Sequence, residues 1–320
     1  MIEANPPLPR KRISVVTPCY NEESNIRMQY QRVCDAIRPF MERYEFEHIY
    51  TDNDSNDRTF EALMQLAAEN KSVKIIRFSR NIGANRAIFM GLRHAAGDAA
   101  ILLQADLQDP PELVPDFIKG WEEGYDVVYG RITQRSEGVV SQSLRRFYYW
   151  VAAAFSDVAM PRDAGEFRLM SRRVLDAIQQ YSEYDPYLRG IVAHIGFAQK
   201  PIPYRRAARE KGRSSMTLAG LCGYAINGIL STTGIPIRAV VVLGLFLSMI
   251  GLLLTAIIVI SKVAMPGAAP HGFTTLASLL AFFSGAQLFA IGMIGEYVHK
   301  IYVQSLRMPL GFVRDMINFD

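Results

Sequence analysis

The stretch AAILLQADLQDPPE, residues 99–112, runs from five apolar positions into a turn carrying Asp106, Gln108 and Asp109. A short uncharged run bounded by turn residues reads as a strand buried on both faces. Asp106 and Gln108 offer oxygen donors directly after that strand, a spacing that suits a hard divalent ion shared with ligand phosphates. The same grammar recurs along the first 130 residues. Apolar runs at Ile13–Thr17, His48–Thr51, Val73–Phe78 and Asp126–Tyr129 alternate with helix-period stretches near 22–43, 57–70, 84–96 and 112–123. Such alternation predicts an α/β fold, a mostly parallel sheet with helices on both faces, whose ligands bind outside the carboxyl ends of the strands. The strand successors are Pro18-Cys19-Tyr20-Asn21-Glu22, Asp52-Asn53-Asp54-Ser55, Ser79-Arg80-Asn81, Gln104-Ala105-Asp106-Leu107-Gln108-Asp109 and Gly130-Arg131. Capping and turn formation account for Asn56, Asp57 and Ser24. They account less well for Asp52, Asp54 and Asp106, because carboxylates gathered on one rim repel unless a cation joins them. No GxGxxG follows the first strand and no GxxxxGK[ST] occurs, which disfavours a dinucleotide fold and a P-loop.

Charge is distributed unevenly. The 320 residues hold 35 Lys plus Arg and 31 Asp plus Glu, yet 236–295 contains only Arg238 and Lys262. This pattern excludes a purely soluble enzyme, a disordered chain and a many-pass transporter. Residues 239–261 and 272–295 are free of Asp, Glu, Lys and Arg; at 1.5 Å per residue each covers the roughly 30 Å hydrocarbon core. The expectation is a hairpin of two transmembrane helices, about 238–261 and 273–296, joined by a Pro- and Gly-rich turn; a buried hairpin in a soluble core is the alternative. Arg238, Lys300, Arg307 and Arg314 flank its outer ends and only Lys262 its turn, so the positive-inside rule puts both termini in the cytoplasm. Met1–Lys11 is Pro-rich and does not read as a signal peptide. Residues 214–235 are nearly uncharged but broken by Gly and polar positions, which reads as an interfacial helix, or else a plain linker helix. Cys19, Cys34 and Cys222 lie far apart, indicating neither a disulfide framework nor a zinc site. A net charge of +4 is too small to argue for nucleic acid and suits an anionic membrane surface.

Several segments together resemble the family 2 glycosyltransferases: SVVTPCYNE at 14–22, DNDSND at 52–57, NIGANRAIFMGLRHAAGD at 81–98 and QADLQDPPE at 104–112. DAGEFRLMSR at 163–172 and GEYVHKIY at 295–302 are similar to the polyisoprenyl-phosphate branch, the dolichol-phosphate mannose synthases and bacterial bactoprenol glucosyltransferases. The resemblance implies a GT-A-like domain over 1–213, the interfacial region 214–235, the hairpin within 236–298 and a cytoplasmic tail over 299–320. It implies inverting transfer of one sugar to a polyisoprenyl (undecaprenyl) phosphate at the inner, cytoplasmic membrane. UDP-glucose is the first expectation for the donor, with GDP-mannose behind it, and relatives suggest a homotetramer.

By position in the motifs, Pro18, Tyr20, Glu22, Asp52, Asp54, Asn81, Gln104 and Ala105 are expected around the nucleotide-sugar. Asp106 and Gln108 are the expected ligands of Mg²⁺ or Mn²⁺; Asp106 is also an expected catalytic carboxylate, and Glu166 and Asp163 are rivals for the catalytic carboxylate near the sugar. Arg131 is similar to an arginine that holds the acceptor phosphate, with Arg135, Arg209, Lys211 and Arg213 as further cations. Arg145-Arg146 suits a membrane-surface anchor at least as well. The chain departs from the family pattern at Gln104, where the first Asp of D-A-D is usual, at Asp54 in place of Gly, and at Ser215 in place of Lys. A processive polysaccharide synthase should carry Q-x-x-R-W after the catalytic domain, and this chain does not. A catalytically degenerate binding scaffold draws its support from Gln104. A small transporter is disfavoured because the spans lack paired intramembrane charges.

Overall fold

The computed structural model describes residues 10–134, 164–206 and 272–319, together with separate helical positions between 240 and 260. Eight strands form one sheet: β1 (Lys11–Cys19), β2 (Tyr44–Asp52), β3 (Val73–Phe78), β4 (Ala99–Leu102), β5 (Val127–Gln134), β6 (Ala164–Ser171), β7 (Gln199–Arg205) and β8 (Val313–Ile317). Their order is β7-β5-β6-β4-β1-β2-β3-β8. β1 pairs in parallel with β2 and β4, β2 with β3, and β5 with β7. β6 runs antiparallel between β4 and β5, and β8 antiparallel along β3. The expected mostly parallel α/β sheet is therefore present.

Helices α1 (Ile26–Ile37), α2 (Thr59–Glu69), α3 (Ala84–Arg93) and α4 (Val114–Glu122) follow the first four strands, and α5 (Arg172–Gln179) and α6 (Leu188–Ile195) follow β6. Each lays an apolar stripe on the sheet. Val33 and Ile37 of α1 and Phe117 and Ile118 of α4 pack with Ile13, Val15 and Ile101 on one face. Ile88 and Leu92 of α3, Val174 of α5 and Ile191 of α6 pack with Val16, Ile49 and Ile76 on the other. The alternation of Val15 and Val16 between the two faces is the period-2 geometry of a strand. Gly91 lets α3 come close: a Cβ there would lie 2.6 Å from Val16 Cγ1.

Two expectations change. The fifth strand does not stop at Tyr129 but continues to Gln134, because β6 and β7 offer ladder partners on both of its sides. Arg131 thus sits within a strand. Residues 313–317, expected as tail, form β8 on the open edge of β3, which otherwise would present unpaired backbone groups.

Among the described residues no helix is long and apolar enough to cross a membrane. Part of the first expected span and all of its turn lie outside the described residues. The second coincides with α7 (Phe273–Ser305), of 33 residues. Its described side chains include exposed Leu280, Phe282, Leu288, Phe289, Ile291 and Ile294.

Candidate active site

In this strand order β1 leads toward β2 on one side, while β4 lies on the other. The chain thus diverges at the carboxyl ends of β1 and β4, where an open α/β sheet forms its ligand crevice. The register pairs Cys19 with Asp52, which brings the successors of β1 and β2 side by side.

These two successors are stitched together. Asn21 N–H donates to Ser55 Oγ at 3.0 Å and Asn56 N–H to Asn21 Oδ1 at 2.8 Å. Glu22 N–H donates to Thr59 Oγ1 at 2.8 Å, and Arg58 N–H to Glu23 Oε2 at 3.0 Å. Tyr20 is half-buried, and its hydroxyl accepts from Asn56 Nδ2 at 3.3 Å. Pro18 is buried inside β1 opposite Thr51, so it shapes the strand end from within.

Asp52 is fully buried. Its Oδ1 accepts from Ser55 N–H and Oγ–H at 3.2 and 2.6 Å, and Oδ2 lies 3.4 Å from Arg77 Nε. Burial pushes its carboxyl above the ordinary range, while the Ser55 hydrogen bonds and Arg77 oppose that rise. As placed, Asp52 builds the loop from inside. Asp54 is half-buried with φ of 60°, and Asn21 and Leu107 have φ of 56° and 57°. Left-handed backbone explains why glycine is usual at the Asp54 position. All three strand-end loops at the crevice therefore turn through a left-handed residue, and Leu107 does so against its own β-carbon sterics.

Asn81 is exposed, and its Oδ1 accepts from Gly83 N–H at 2.9 Å and from Asn53 Nδ2 at 3.0 Å. At the end of β4, Leu103 N–H still donates to Val16 O at 3.0 Å. Gln104 is half-exposed, Ala105 is buried with Cys19 and Tyr50, and Asp106 is 7% exposed. Gln108 is half-exposed, and its N–H donates to Asp106 Oδ1 at 3.2 Å.

The opposite wall carries a carboxylate–guanidinium series. Asp109 accepts from Tyr204 Oη–H at 2.5 Å, and its Oδ1 lies 3.2 Å from Arg206 Nε. Burial raises its pKa; Arg206 and Tyr204 oppose the rise, and neighbouring Asp106 and Glu166 add to it. Glu166, on β6, accepts from Arg189 Nε of α6 at 2.5 Å, with Arg168 Nη2 at 3.8 Å. Asp106, Asp109 and Glu166 therefore share one electrostatic neighbourhood. Arg131 is exposed on β5, opposite Ala164 and Pro203. Asp163, Arg135, Arg209, Lys211 and Arg213 lie outside the described residues, as do Arg145 and Arg146.

Sequence reading missed Asn53, Arg77, Asp109, Arg189, Tyr204 and Arg206. Asn53 and Asp109 lie inside the quoted motifs DNDSND and QADLQDPPE, which is the signal available for those two. Arg189 and Arg206, the second of the pair Arg205-Arg206, belong to no motif, and only packing brings them to the carboxylates.

The donor set decides what metal would fit. Asp106 is the rim carboxylate, with the amides of Gln104 and Gln108 beside it in sequence. Among the described residues no three His, Cys, Asp or Glu side chains gather to hold an ion by themselves. This set fits Mg²⁺ or Mn²⁺ completed by oxygens of a bound diphosphate, since such ions are held by one or two carboxylates plus substrate phosphates.

The glycosyl transferase family 2 model matches residues 14–179, the span that builds this crevice. The chain belongs to that family. It is a glycosyltransferase built on a mostly parallel α/β sheet. Family members similar to it include an uncharacterised glycosyltransferase of Synechocystis sp., 32% identical over 95% of both chains. The bactoprenol glucosyl transferase of Shigella phage SfV is 33% identical, over 95% of this chain and 98% of that one. Among solved structures, glucosyl-3-phosphoglycerate synthase from Mycobacterium tuberculosis, in complex with Mn²⁺, UDP and glucosyl-3-phosphoglycerate, superposes with a TM-score of 0.47. It is 20% identical and covers 70% of this chain and 80% of that one.

Proposed function

We propose that this glycosyltransferase moves a single sugar, glucose first, from a nucleotide-sugar to a polyisoprenyl phosphate at the cytoplasmic face of a membrane, with inversion. The observation that carries the reading is Asp106 at the divergence of β1 and β4, on the same sheet rim as the β1 and β2 loops stitched by Asn21, Ser55 and Asn56. Similarity to a bactoprenol glucosyl transferase along almost the whole chain supports the acceptor class.

The reaction needs no strong general base, because a phosphomonoester is already largely dianionic near pH 7. An acceptor phosphate oxygen bonds to the anomeric carbon as the bond to the diphosphate oxygen breaks, and the electron pair leaves with the nucleoside diphosphate. Attack opposite the leaving group inverts the centre. Asp106 and Gln108 would hold the divalent ion, which when bound supplies Lewis-acid stabilisation of the diphosphate. Arg131, exposed on β5, would attract the acceptor phosphate and hold it by charge-assisted hydrogen bonds. Arg189 and Arg168 pair with Glu166 and fix its orientation.

A membrane location draws on two observations. Phe282, Leu288, Phe289 and Ile291 of α7 are all more than half exposed, a surface that water does not favour and lipid does. β3 precedes the hydrophobic stretches and β8 follows them, yet they share one sheet. Any crossings between residues 206 and 313 must then be even in number. Two spans satisfy that parity and place both ends with the catalytic domain.

The test supplies membranes containing the protein with undecaprenyl phosphate and a panel of radiolabelled nucleotide-sugars, and analyses the lipid product. One labelled monosaccharide on the lipid phosphate is expected, strongest with UDP-glucose. Polymer, or no lipid-linked label with any donor, would overturn the reading.

A further inference from the structure

The segment after α7 is fastened to the sheet from end to end. Leu310 is 8% exposed in a core shared with Phe78 and Ile82. Phe312 O accepts Ser79 N–H at 2.9 Å, and β8 then pairs along β3. Asn318 Nδ2 donates to Ala67 O at 3.0 Å and Val73 O at 2.8 Å. Where this segment begins, it presses on the loop between β3 and α3. A Cβ on Gly311 would lie 2.7 Å from Ile82 Cδ1 and 3.0 Å from its Cγ2, so the two chains touch at van der Waals distance.

That loop grips the crevice in turn. Ile82 N–H donates to Asn53 Oδ1 at 2.8 Å, and Asn53 Nδ2 donates to Asn81 Oδ1 at 3.0 Å. The Asn53 side chain thus has both ends occupied by the 81–82 loop. Its N–H donates to Cys19 O at 3.0 Å, and it adjoins Asp52. One asparagine links the ends of β1 and β2 to a loop held by the segment after α7.

We propose that residues 310–319 are a positioning element of the donor site: by fixing Ile82 and Asn81 they hold Asn53 and the 52–57 loop ready for a nucleoside diphosphate. The inference rests on the reading that this rim binds the donor nucleotide. Its physical basis is preorganisation, since a loop already ordered before binding has less conformational freedom to lose on binding.

Calorimetry of the full-length protein with UDP and with GDP, each with Mn²⁺, tests it. Gly311→Val forces Ile82 aside and should weaken nucleoside diphosphate binding about tenfold, with the lipid-phosphate KM moving less than about twofold. Gly311→Val combined with Ile82→Ala removes the clash and should restore most of the affinity. Asn53→Ala should weaken binding similarly, and adding Gly311→Val to it should cost little more, because both act through one link. Should Gly311→Val not fold, Gly311→Ala presses on the same Ile82 atoms and is read the same way. Unchanged nucleotide affinity in a folded Gly311 variant overturns the inference alone, as does a loss that is additive with Asn53→Ala and not rescued at Ile82. Wild-type protein that binds neither nucleotide overturns the donor-site reading together with it.

Discussion

Arg77 Nε lies 3.4 Å from Asp52 Oδ2 across the paired ends of β3 and β2, and its guanidinium sits over the Phe60 ring at 4.1 Å. The arginine is the partner that lets a fully buried carboxylate remain charged under the loop of residues 52–57. Arg77→Ala should therefore destabilise the fold by about 3 kcal/mol near neutral pH, the cost of stranding a buried charge. The sign with pH is set by Asp52, whose pKa burial already raises. Without Arg77 it rises further, so the penalty grows above the unfolded value and shrinks once the folded carboxyl is protonated. Melting at pH 8 should show a larger deficit than at pH 5; equal deficits would refute the pairing.

Asp106 is the only carboxylate of the expected metal set, and Gln104 leaves the site one negative charge lighter than a D-A-D sequence. Mn²⁺ should bind weakly to the protein alone and much more tightly once a nucleoside diphosphate adds its oxygens. Asp106→Asn should abolish transfer. Gln104→Asp should strengthen binding to the nucleotide-free protein without being needed for turnover. Calorimetry with and without UDP decides it, and full activity in Asp106→Asn or in excess chelator would sink the site.

Arg131 is exposed on β5. If it holds the acceptor phosphate, Arg131→Ala should lose about 1.5–3 kcal/mol of acceptor interaction while nucleotide-sugar binding stays near wild type. Steady-state kinetics against lipid concentration, beside a donor titration, separates the two. Equal loss on the donor side would reassign the arginine to the diphosphate.

His48 is buried, and desolvation holds its pKa down at about 4 from the ordinary 6.5, opposed by Glu47. The unfolded chain takes up the proton near 6.5 and the folded one only near 4. Stability should thus fall as pH drops through that window, by about 3 kcal/mol for this group. His48→Phe should flatten that part of the profile. Chemical denaturation at pH 7 and pH 4 measures it; parallel losses in the two proteins would count against a buried neutral imidazole.

Topology is checked with reporters. One fused after Asp320 should behave as cytoplasmic, as should one at the N-terminus, and one inserted in 264–271 as external. A C-terminus on the opposite side from the N-terminal domain would contradict both the two-span proposal and the pairing of β8 with β3.

The sequence by itself determined the α/β layering, five of the eight strands and the three strand-end loops that line the crevice. Those features are written locally: an apolar run of strand length, then polar turn residues, then an amphipathic helix. Val73–Phe78 was legible to the residue because both of its ends are turns. What tertiary structure decided is whatever depends on partners distant in sequence. β5 reaches Gln134 only because β6 and β7 flank it, and 313–317 becomes a strand only because β3 has an open edge. Asp52 appeared as a rim carboxylate, yet Ser55 and Arg77 turn it inward. The pairing of Glu166 with Arg189, 23 positions apart, and of Asp109 with Arg206 has no local signature. Hydrophobic periodicity is a property of neighbours along the chain, whereas ion pairs and edge strands are chosen by what the packed fold brings within reach.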